Sequence, residues 1–208
     1  MNFFRIDDTL ILGCDNGGVT MLTIGDKFPD FSLVASSSLP FEQLTMENAF
    51  EVITESSHPG QWKVVFFYPK DFTFVCPTEI VAFANIFGEF QKRNTQILGC
   101  SVDSEFVHWA WRKYNPALRH LPFSLMSDLR RELTGRLGIL DQDSGVAHRA
   151  LFIVDPESII RFVMVTDPSV GRNPAEVLRV LDALQTGELC QCGWIRGQET
   201  INLKNAGV

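Results

Sequence analysis

The chain has 208 residues, 45% of them hydrophobic, so it is long enough and apolar enough to bury the core of one domain. Its formal net charge of −7 argues against nucleic acid or an anionic membrane surface as a partner. No apolar run approaches the roughly 20 residues of a transmembrane helix, so we expect no membrane span.

Residues 1–20 differ from the rest of the chain. They are polar and glycine-rich around Cys14, show no hydrophobic period, and lack the long apolar segment of a secretion signal. We interpret them as a loose N-terminal extension. We expect residues 21–186 to form the folded domain and residues 187–208 to form a C-terminal tail.

The first strong structural signals lie in the middle of the chain. Residues 62–68 form a nearly continuous apolar run that ends at Pro69 and predicts a buried central strand. After Cys76, apolar residues recur at helical spacing and predict one helix with a single apolar stripe: Ile80, Phe83, Ala84, Phe87 and Phe90. Residues 96–102 predict a second strand. Residues 104–114 predict a helix that buries Phe106, Val107, Ala110, Trp111 and Tyr114.

The C-terminal half predicts a hairpin and a last helix. Residues 150–154 and 159–165 are apolar runs separated by a turn at 155–158, and they predict two neighbouring strands. The helix after them is bounded by residues typical of caps: Asn173, Pro174 and Glu176 at its start and Gly187 at its end. Strands that alternate with helices indicate an α/β fold, a central sheet with helices on both faces.

The cysteines are widely spaced and odd in number: Cys14, Cys76, Cys100, Cys190 and Cys192. That pattern is not a secreted disulfide framework and fits a reducing compartment, so we expect a cytoplasmic protein. Cys100 lies in a predicted strand, which indicates a buried core residue. Cys14 lies in the extension and has no role that we can assign. The histidines are scattered without the spacing of metal ligands.

Cys76 stands where a strand gives way to a helix. The unpaired N–H groups and the positive end of a helix favour a thiolate over a thiol at such a position. Thr73 precedes Cys76 by three residues, so its hydroxyl is placed to hydrogen-bond the sulfur or an oxygen bound beside it. The alternative is an inert cysteine that merely begins a core helix, and position alone favours that alternative.

The surrounding string, FYPKDFTFVCPTE at residues 67–79, resembles the active-site signature of peroxiredoxins, in particular the alkyl hydroperoxide reductase C group and its mycobacterial type. The likeness extends from about residue 21 to about residue 197. The resemblance implies a thioredoxin-like fold and a thiol-dependent peroxidase that reduces hydrogen peroxide and organic hydroperoxides in antioxidant defence, with no metal and no organic cofactor. It implies that Cys76 attacks the peroxide, that Pro69 shields the site from water and that Thr73 hydrogen-bonds the substrate.

The same resemblance assigns roles to three charged residues. Arg149 is implied to lie against the thiolate, and Glu79 and Arg172 are implied to form a supporting charge network. An arginine suits the first role because it stays charged and presents a planar fork of donors. Considered alone, each arginine is better explained as a surface ion pair or a helix-end charge, and only the resemblance reverses that interpretation.

Turnover requires a second thiol, because the sulfenic acid must condense to a disulfide before it is oxidised further. The resemblance implies that Cys190, which keeps the family's spacing to Trp194, is the resolving cysteine. Cys192 stands where relatives have other residues and makes a second candidate, as in the mycobacterial type. A metal-binding Cys-x-Cys pair is a weak alternative, because zinc sites use four ligands and no second pair lies nearby.

The resemblance also implies partners. They are a hydroperoxide substrate, a dithiol reductant of thioredoxin-like or alkylhydroperoxidase D-like type, and a second copy of the chain, with dimers assembled into a ring. It further implies a natural start at Met21. A thioredoxin-type disulfide oxidoreductase is disfavoured, since Glu79 stands where its Cys-x-x-Cys motif needs the second cysteine. A holdase or scaffold role in addition to peroxidase activity remains open.

Overall fold

The computed structural model describes residues 20–202, so Cys14 and nearly all of the predicted N-terminal extension lie outside the described residues. The strands are β1 (Ser32–Ser36), β2 (Phe50–Thr54), β3 (Trp62–Phe67), β4 (Thr95–Ser101), β5 (Leu125–Ser127), β6 (Leu140–Asp141), β7 (Val146–Ala147), β8 (Arg149–Val154) and β9 (Ile160–Thr166). The helices are α1 (Cys76–Asn85), α2 (Phe87–Gln91), α3 (Glu105–Tyr114), α4 (Glu132–Arg136) and α5 (Pro174–Thr186), with short 3-10 turns at Phe41–Gln43 and Pro116–Leu118.

Seven strands form one mixed sheet in the order β2-β1-β5-β4-β3-β8-β9. Strands β3, β4 and β5 run parallel to each other, and β8 pairs antiparallel with β3 on the other side. The sheet agrees with the predicted α/β architecture. Its β3 is central, so Val64 and Phe66 enter the hydrophobic cluster on one face while Val65 and Phe67 enter the cluster on the other. Both faces of β3 are therefore buried, which explains its continuous apolar run.

The helix predicted after Cys76 is two helices. Its apolar stripe is buried as expected, but the chain leaves helical geometry at Ile86, where φ is −114° and ψ is 15°. Helix α2 restarts there and continues the same buried face through Phe87 and Phe90. The sequence period alone cannot reveal this break, because the stripe keeps its spacing across it.

Helix α3 buries only part of the predicted face. Trp111 is buried as predicted and Val107 and Ala110 are half-buried, but Phe106 is 54% exposed and Tyr114 is 71% exposed. His108 and Arg112 are buried instead. Arg112 is buried because its guanidinium donates to backbone carbonyls of four residues: Ser37, Leu39, Leu118 and Arg119. Burial lowers the pKa of Arg112 to about 10. Hydrogen bonds to distant loops thus override the hydrophobic pattern on which the prediction was based.

Helix α5 has the predicted ends. Asn173 accepts a hydrogen bond from the Ala175 N–H, Pro174 is the first helical residue, and Gly187 ends the helix with a left-handed φ of 67°. The tail after it contains no helix or strand within residues 188–202. The tail nevertheless packs onto the domain, because Trp194 is only 3% exposed and the Ile201 N–H donates to the Leu189 carbonyl.

Candidate active site

Cys76 is the first residue of α1, and its side chain is almost fully buried, with 1% of the residue exposed. The preceding loop, residues 69–75, joins the end of β3 to this helix. Pro77 occupies the first turn, where a missing N–H costs nothing. The sequence thereby fixes the sulfur at the amino end of a helix, where backbone N–H groups and the helix dipole favour negative charge.

Arg149 brings a fixed positive charge onto that sulfur. It is the first residue of β8, and its Nη1 donates to Cys76 Sγ over 3.4 Å. The same nitrogen lies 2.7 Å from Glu79 Oε2, and Nε donates to the Pro168 carbonyl over 2.7 Å. Arg149 is 3% exposed, so little water screens its charge. The guanidinium is therefore held in one orientation, with a donor directed at the reactive atom.

Glu79 joins Arg149 to Arg172. Arg172 Nε lies 2.7 Å from Glu79 Oε1, Arg172 Nη2 lies 3.1 Å from Oε2, and the Arg172 backbone N–H donates to Oε1 over 2.8 Å. Burial alone would raise the pKa of Glu79, but the hydrogen bonds and charge of Arg172, together with the charge of Arg149, lower it below 4.5. Glu79 is thus a carboxylate that fixes both guanidinium groups.

The charges of this cluster balance only when Cys76 is ionised. Arg149 and Arg172 contribute two positive charges and Glu79 contributes one negative charge, all on side chains that are at most 4% exposed. A neutral thiol leaves one uncompensated positive charge in this buried cluster, and a thiolate cancels it. Because an uncompensated buried charge is costly, the cluster favours the thiolate and, later, any anion that forms beside it.

Pro69 and Thr73, both half-buried, lie in the loop before Cys76. Thr73 Oγ1 donates to the Lys70 carbonyl over 2.9 Å, so its proton is engaged and its lone pairs are left to accept a hydrogen bond. Phe72 has a left-handed φ of 54°, an unfavourable conformation for a side chain of this size. Contacts elsewhere must therefore hold the loop in this shape.

The two C-terminal cysteines lie at a separate place. Cys190 is half-buried just beyond α5, with Sγ 3.5 Å from Thr186 Oγ1, whereas Cys192 is exposed. With Arg161 and Arg179 among its other lining residues, they border an open cavity of about 500 Å³. No disulfide joins any of the cysteines within residues 20–202.

Helix α5 separates Cys190 from Cys76. The helix begins at Pro174, two residues after Arg172, which contacts Glu79, and its far end is tied to Arg93 through a 2.8 Å bond from Gln185. Cys190 Sγ lies 3.8 Å from the Ala183 carbonyl near that far end. The two sulfurs of one chain therefore lie toward opposite ends of α5.

One buried polar group was not predicted from the sequence: Tyr68, Asp71 and His108 bond to one another beside the loop that precedes Cys76. Tyr68 OH donates to Asp71 Oδ1 over 2.9 Å, and His108 Nδ1 lies 2.7 Å from Asp71 Oδ2. The available signal was weak: Tyr68 and Asp71 belong to the motif string, but nothing in the sequence links His108 to them. Cys100 agrees with the prediction of a core residue, since it is fully buried and burial raises its pKa well above 9.0.

Comparison with known proteins identifies what this arrangement resembles. The sequence profile of the AhpC/TSA family matches residues 24–163. Alkyl hydroperoxide reductase C of Mycolicibacterium smegmatis is 50% identical over 187 residues, which cover 88% of this chain and 95% of that protein. Peroxiredoxin-2 of Bos taurus is 40% identical over 185 residues, covering 86% and 88%. The solved structure of Mycobacterium tuberculosis AhpC superposes with a TM-score of 0.78 at 52% identity, covering 84% of this chain and 99% of that one.

Proposed function

The chain belongs to the AhpC/TSA family, and from that premise we propose that it is a thiol-dependent peroxidase that reduces hydroperoxides through Cys76. The family resemblance seen in residues 67–79 is confirmed, and so is the thioredoxin-like fold. One observation carries the assignment of the reactive residue: the Arg149 guanidinium, fixed by Glu79, donates to the Cys76 sulfur at the start of α1.

The proposed reaction begins with the Cys76 thiolate. Its sulfur attacks one oxygen of the hydroperoxide, the O–O bond breaks, and Cys76 becomes a sulfenic acid while the other oxygen leaves as an alkoxide or hydroxide. That anion takes a proton from water and departs as an alcohol or as water. Arg149 is placed to stabilise the charge that moves onto the leaving oxygen, because its donors already point at the sulfur.

The loop before Cys76 supplies the remaining groups of the proposed site. Thr73 is assigned to orient the hydroperoxide, since its oxygen is left to accept the substrate O–H. Pro69 is assigned to cover the sulfur and exclude water. Arg172 does not touch the sulfur in this scheme and acts through Glu79, which it holds in place by three hydrogen bonds.

The second half-reaction needs a thiol from another copy of the chain. A thiol condenses with the sulfenic acid to give a disulfide and water. We assign this step to Cys190 of a second subunit, because Cys190 of the same chain lies against the last turn of α5, at the other end of that helix from the Cys76 site. Strand β9 is an edge of the sheet, and Val165 on it is 44% exposed, which suits pairing in a homodimer.

Assembly of dimers into a ring is proposed from exposed aromatic residues near the loop. Phe72, Phe74, Phe106 and Tyr114 are each more than half exposed, and such an exposed apolar surface is typical of an interface.

Reduction of the disulfide is assigned to a dithiol protein of thioredoxin-like or alkylhydroperoxidase D-like type. The exposed Cys192 is placed to receive the disulfide from Cys190 by exchange and to present it to that partner. Such a cycle needs reduced thiols, which supports a cytoplasmic location. Within residues 20–202, no helix combines the length and apolar character required to cross a membrane.

Peroxide consumption with a dithiol reductant tests the proposal. Cys76→Ser should abolish turnover, because a hydroxyl at this position is not ionised and cannot attack the O–O bond. Cys100→Ser removes another buried cysteine and should leave turnover close to wild type, provided that far-UV circular dichroism shows a folded chain. Turnover in Cys76→Ser equal to wild type would instead favour the holdase or scaffold role, which does not need this sulfur.

A further inference from the structure

Tyr68, Asp71 and His108 form a buried cluster whose hydrogen bonds, unlike those of Arg149, do not go to Cys76. Tyr68 and His108 are completely buried, and Asp71 is 7% exposed. The Asp71 carboxyl uses both oxygens inside the cluster: Oδ1 accepts from Tyr68 OH over 2.9 Å, and Oδ2 lies 2.7 Å from His108 Nδ1.

The short contact between Asp71 and His108 requires a shared proton. His108 Nε2 lies 3.1 Å from the Met126 carbonyl, which can only accept, so Nε2 carries a hydrogen. The 2.7 Å contact on the other side of the ring then needs one further proton, on nitrogen or on oxygen. Without it, a nitrogen lone pair faces a carboxylate between two buried side chains, so the contact becomes repulsive.

This contact anchors the loop at the residue before its strained position. Phe72 has a φ of 54°, a left-handed conformation that is unfavourable for an L-residue. Asp71 holds the chain there by three bonds: its side chain bonds Tyr68 and His108, and its N–H donates to Asp103 Oδ2 over 2.9 Å. Thr73 follows two residues later, so any movement of Asp71 is passed on to it.

We propose that His108 is a positioning residue of the peroxidase reaction: the proton that it shares with Asp71 fixes the loop and so places Pro69 and Thr73 around Cys76. The proposal rests on the proposed role of Cys76. Substitution of this buried histidine, which touches no reacting atom, should therefore change the rate of Cys76 oxidation.

The groups around the shared proton determine the direction of its pH dependence. Among the described residues, the titratable groups facing Asp71 are His108 from α3, Tyr68 from the end of β3 and Asp103 from the loop after β4; β5 presents only the Met126 carbonyl. Burial raises the pKa of Asp71 above 3.8, Asp103 raises it further, and His108 opposes both. Burial also raises the pKa of Tyr68 well above 10.0, so the tyrosine stays protonated near neutral pH.

A raised carboxyl pKa means that the anchor is present at low pH and is lost as pH rises through the folded value. The wild-type rate constant for Cys76 oxidation should therefore decrease as pH rises past the point where this proton is lost, because the loop loses its anchor. This decrease on the alkaline side of that point is called the alkaline fall.

Asp71→Asn is the sharpest test, because its amide can donate to His108 Nδ1 and accept from Tyr68 OH without a titratable proton. Stopped-flow oxidation of the reduced variant by hydrogen peroxide should show no alkaline fall. His108→Ala should slow oxidation about 10- to 100-fold, as a misplacement of about 1 Å can do. His108→Asn, whose amide replaces the donor at Nδ1, should recover most of that loss.

The outcomes separate this inference from the proposed function. An alkaline fall in Asp71→Asn equal to that of wild type, or a His108→Asn rate as low as that of a folded His108→Ala, would overturn the positioning role. Cys76→Ser is measured in parallel: if it consumes peroxide like wild type, the proposed function itself is wrong. If it is inactive while Asp71→Asn keeps the alkaline fall, only the role of His108 fails. Should His108→Ala not fold, the Asp71→Asn pH profile still decides the question.

Discussion

Glu79→Gln is expected to be the most destabilising single-atom change in the site. The substitution preserves the shape of a residue that is 2% exposed, but it removes the negative charge between Arg149 and Arg172. The amide nitrogen also brings hydrogens toward guanidinium donors that need an acceptor. Two buried positive charges then remain without their shared carboxylate.

The magnitude follows from the burial of that network. Removing one partner of a buried ion pair typically destabilises a protein by about 3–5 kcal/mol, because the remaining charge is left uncompensated. The Glu79 carboxylate accepts four hydrogen bonds, one from Arg149 and three from Arg172, so we expect a loss within that range. Oxidation of Cys76 should slow as well, since Arg149 loses the group that orients it.

Urea unfolding of the reduced protein at one protein concentration, followed by circular dichroism, measures the effect. The lowered pKa of Glu79 means that its stabilisation is fully present above about pH 4.5 and is lost as pH falls through the folded value. The difference between wild type and Glu79→Gln should therefore be largest near neutral pH and should shrink in acid.

A matched control is Glu89→Gln. Glu89 lies on α2 and pairs with Lys92 at 2.7 Å and with Arg93 at 3.0 Å, but its own side chain is 44% exposed, and the largely buried Arg93 keeps Asp182 as a partner when Glu89 is neutralised. Exposed pairs contribute little, so the unfolding midpoint of this variant should stay close to wild type. If Glu79→Gln unfolds at the same urea concentration as Glu89→Gln, the argument that a buried charge network supports the Cys76 site is wrong.

Further predictions concern the sulfur chemistry and the start of the chain. Arg149→Ala should slow stopped-flow oxidation of Cys76 by a factor of order 100, because a charge-stabilising donor is lost. Thr73→Val should slow it strongly as well, because the acceptor that orients the hydroperoxide is lost. An unchanged rate constant would remove that residue from the site. Cys190→Ser should slow disulfide formation more than Cys192→Ser. Non-reducing peptide mapping that finds mainly a Cys76–Cys192 disulfide in the wild type, together with normal turnover of Cys190→Ser, would reverse the assignment. Deletion of residues 1–20 should leave turnover and assembly unchanged, and a large loss of either would contradict the interpretation of these residues as a loose extension.

Much of the fold follows from local pattern. Strand β3 was predictable because both of its faces are buried, and α5 because Asn173 and Gly187 mark its ends. The buried face of α3 was only partly predictable, since Arg112 and His108 are buried through bonds to Ser37, Leu39 and Asp71, at least 37 residues away in sequence.

In the active site, too, some features were predictable from the local sequence and others depend on distant contacts. Cys76 at a helix start was visible in the local sequence, but its position alone favoured an inert residue. The two arginines that make the site reactive lie 70 and 93 residues from Glu79, so only the family resemblance pointed to them. The shared proton of His108 was not predictable, because it depends on a contact between two elements whose relative placement only the folded chain provides.

The central claim is that peroxide oxidises Cys76 first, and trapping the oxidised sulfur tests it most directly. In the double variant Cys190→Ser and Cys192→Ser, the sulfenic acid has no resolving thiol and can be captured by dimedone after one equivalent of hydrogen peroxide. Peptide mass spectrometry should find the adduct on Cys76 in nearly every chain and leave Cys100 unlabelled. An adduct mainly on Cys100, or peroxide consumed with Cys76 recovered as an unmodified thiol, would contradict the account.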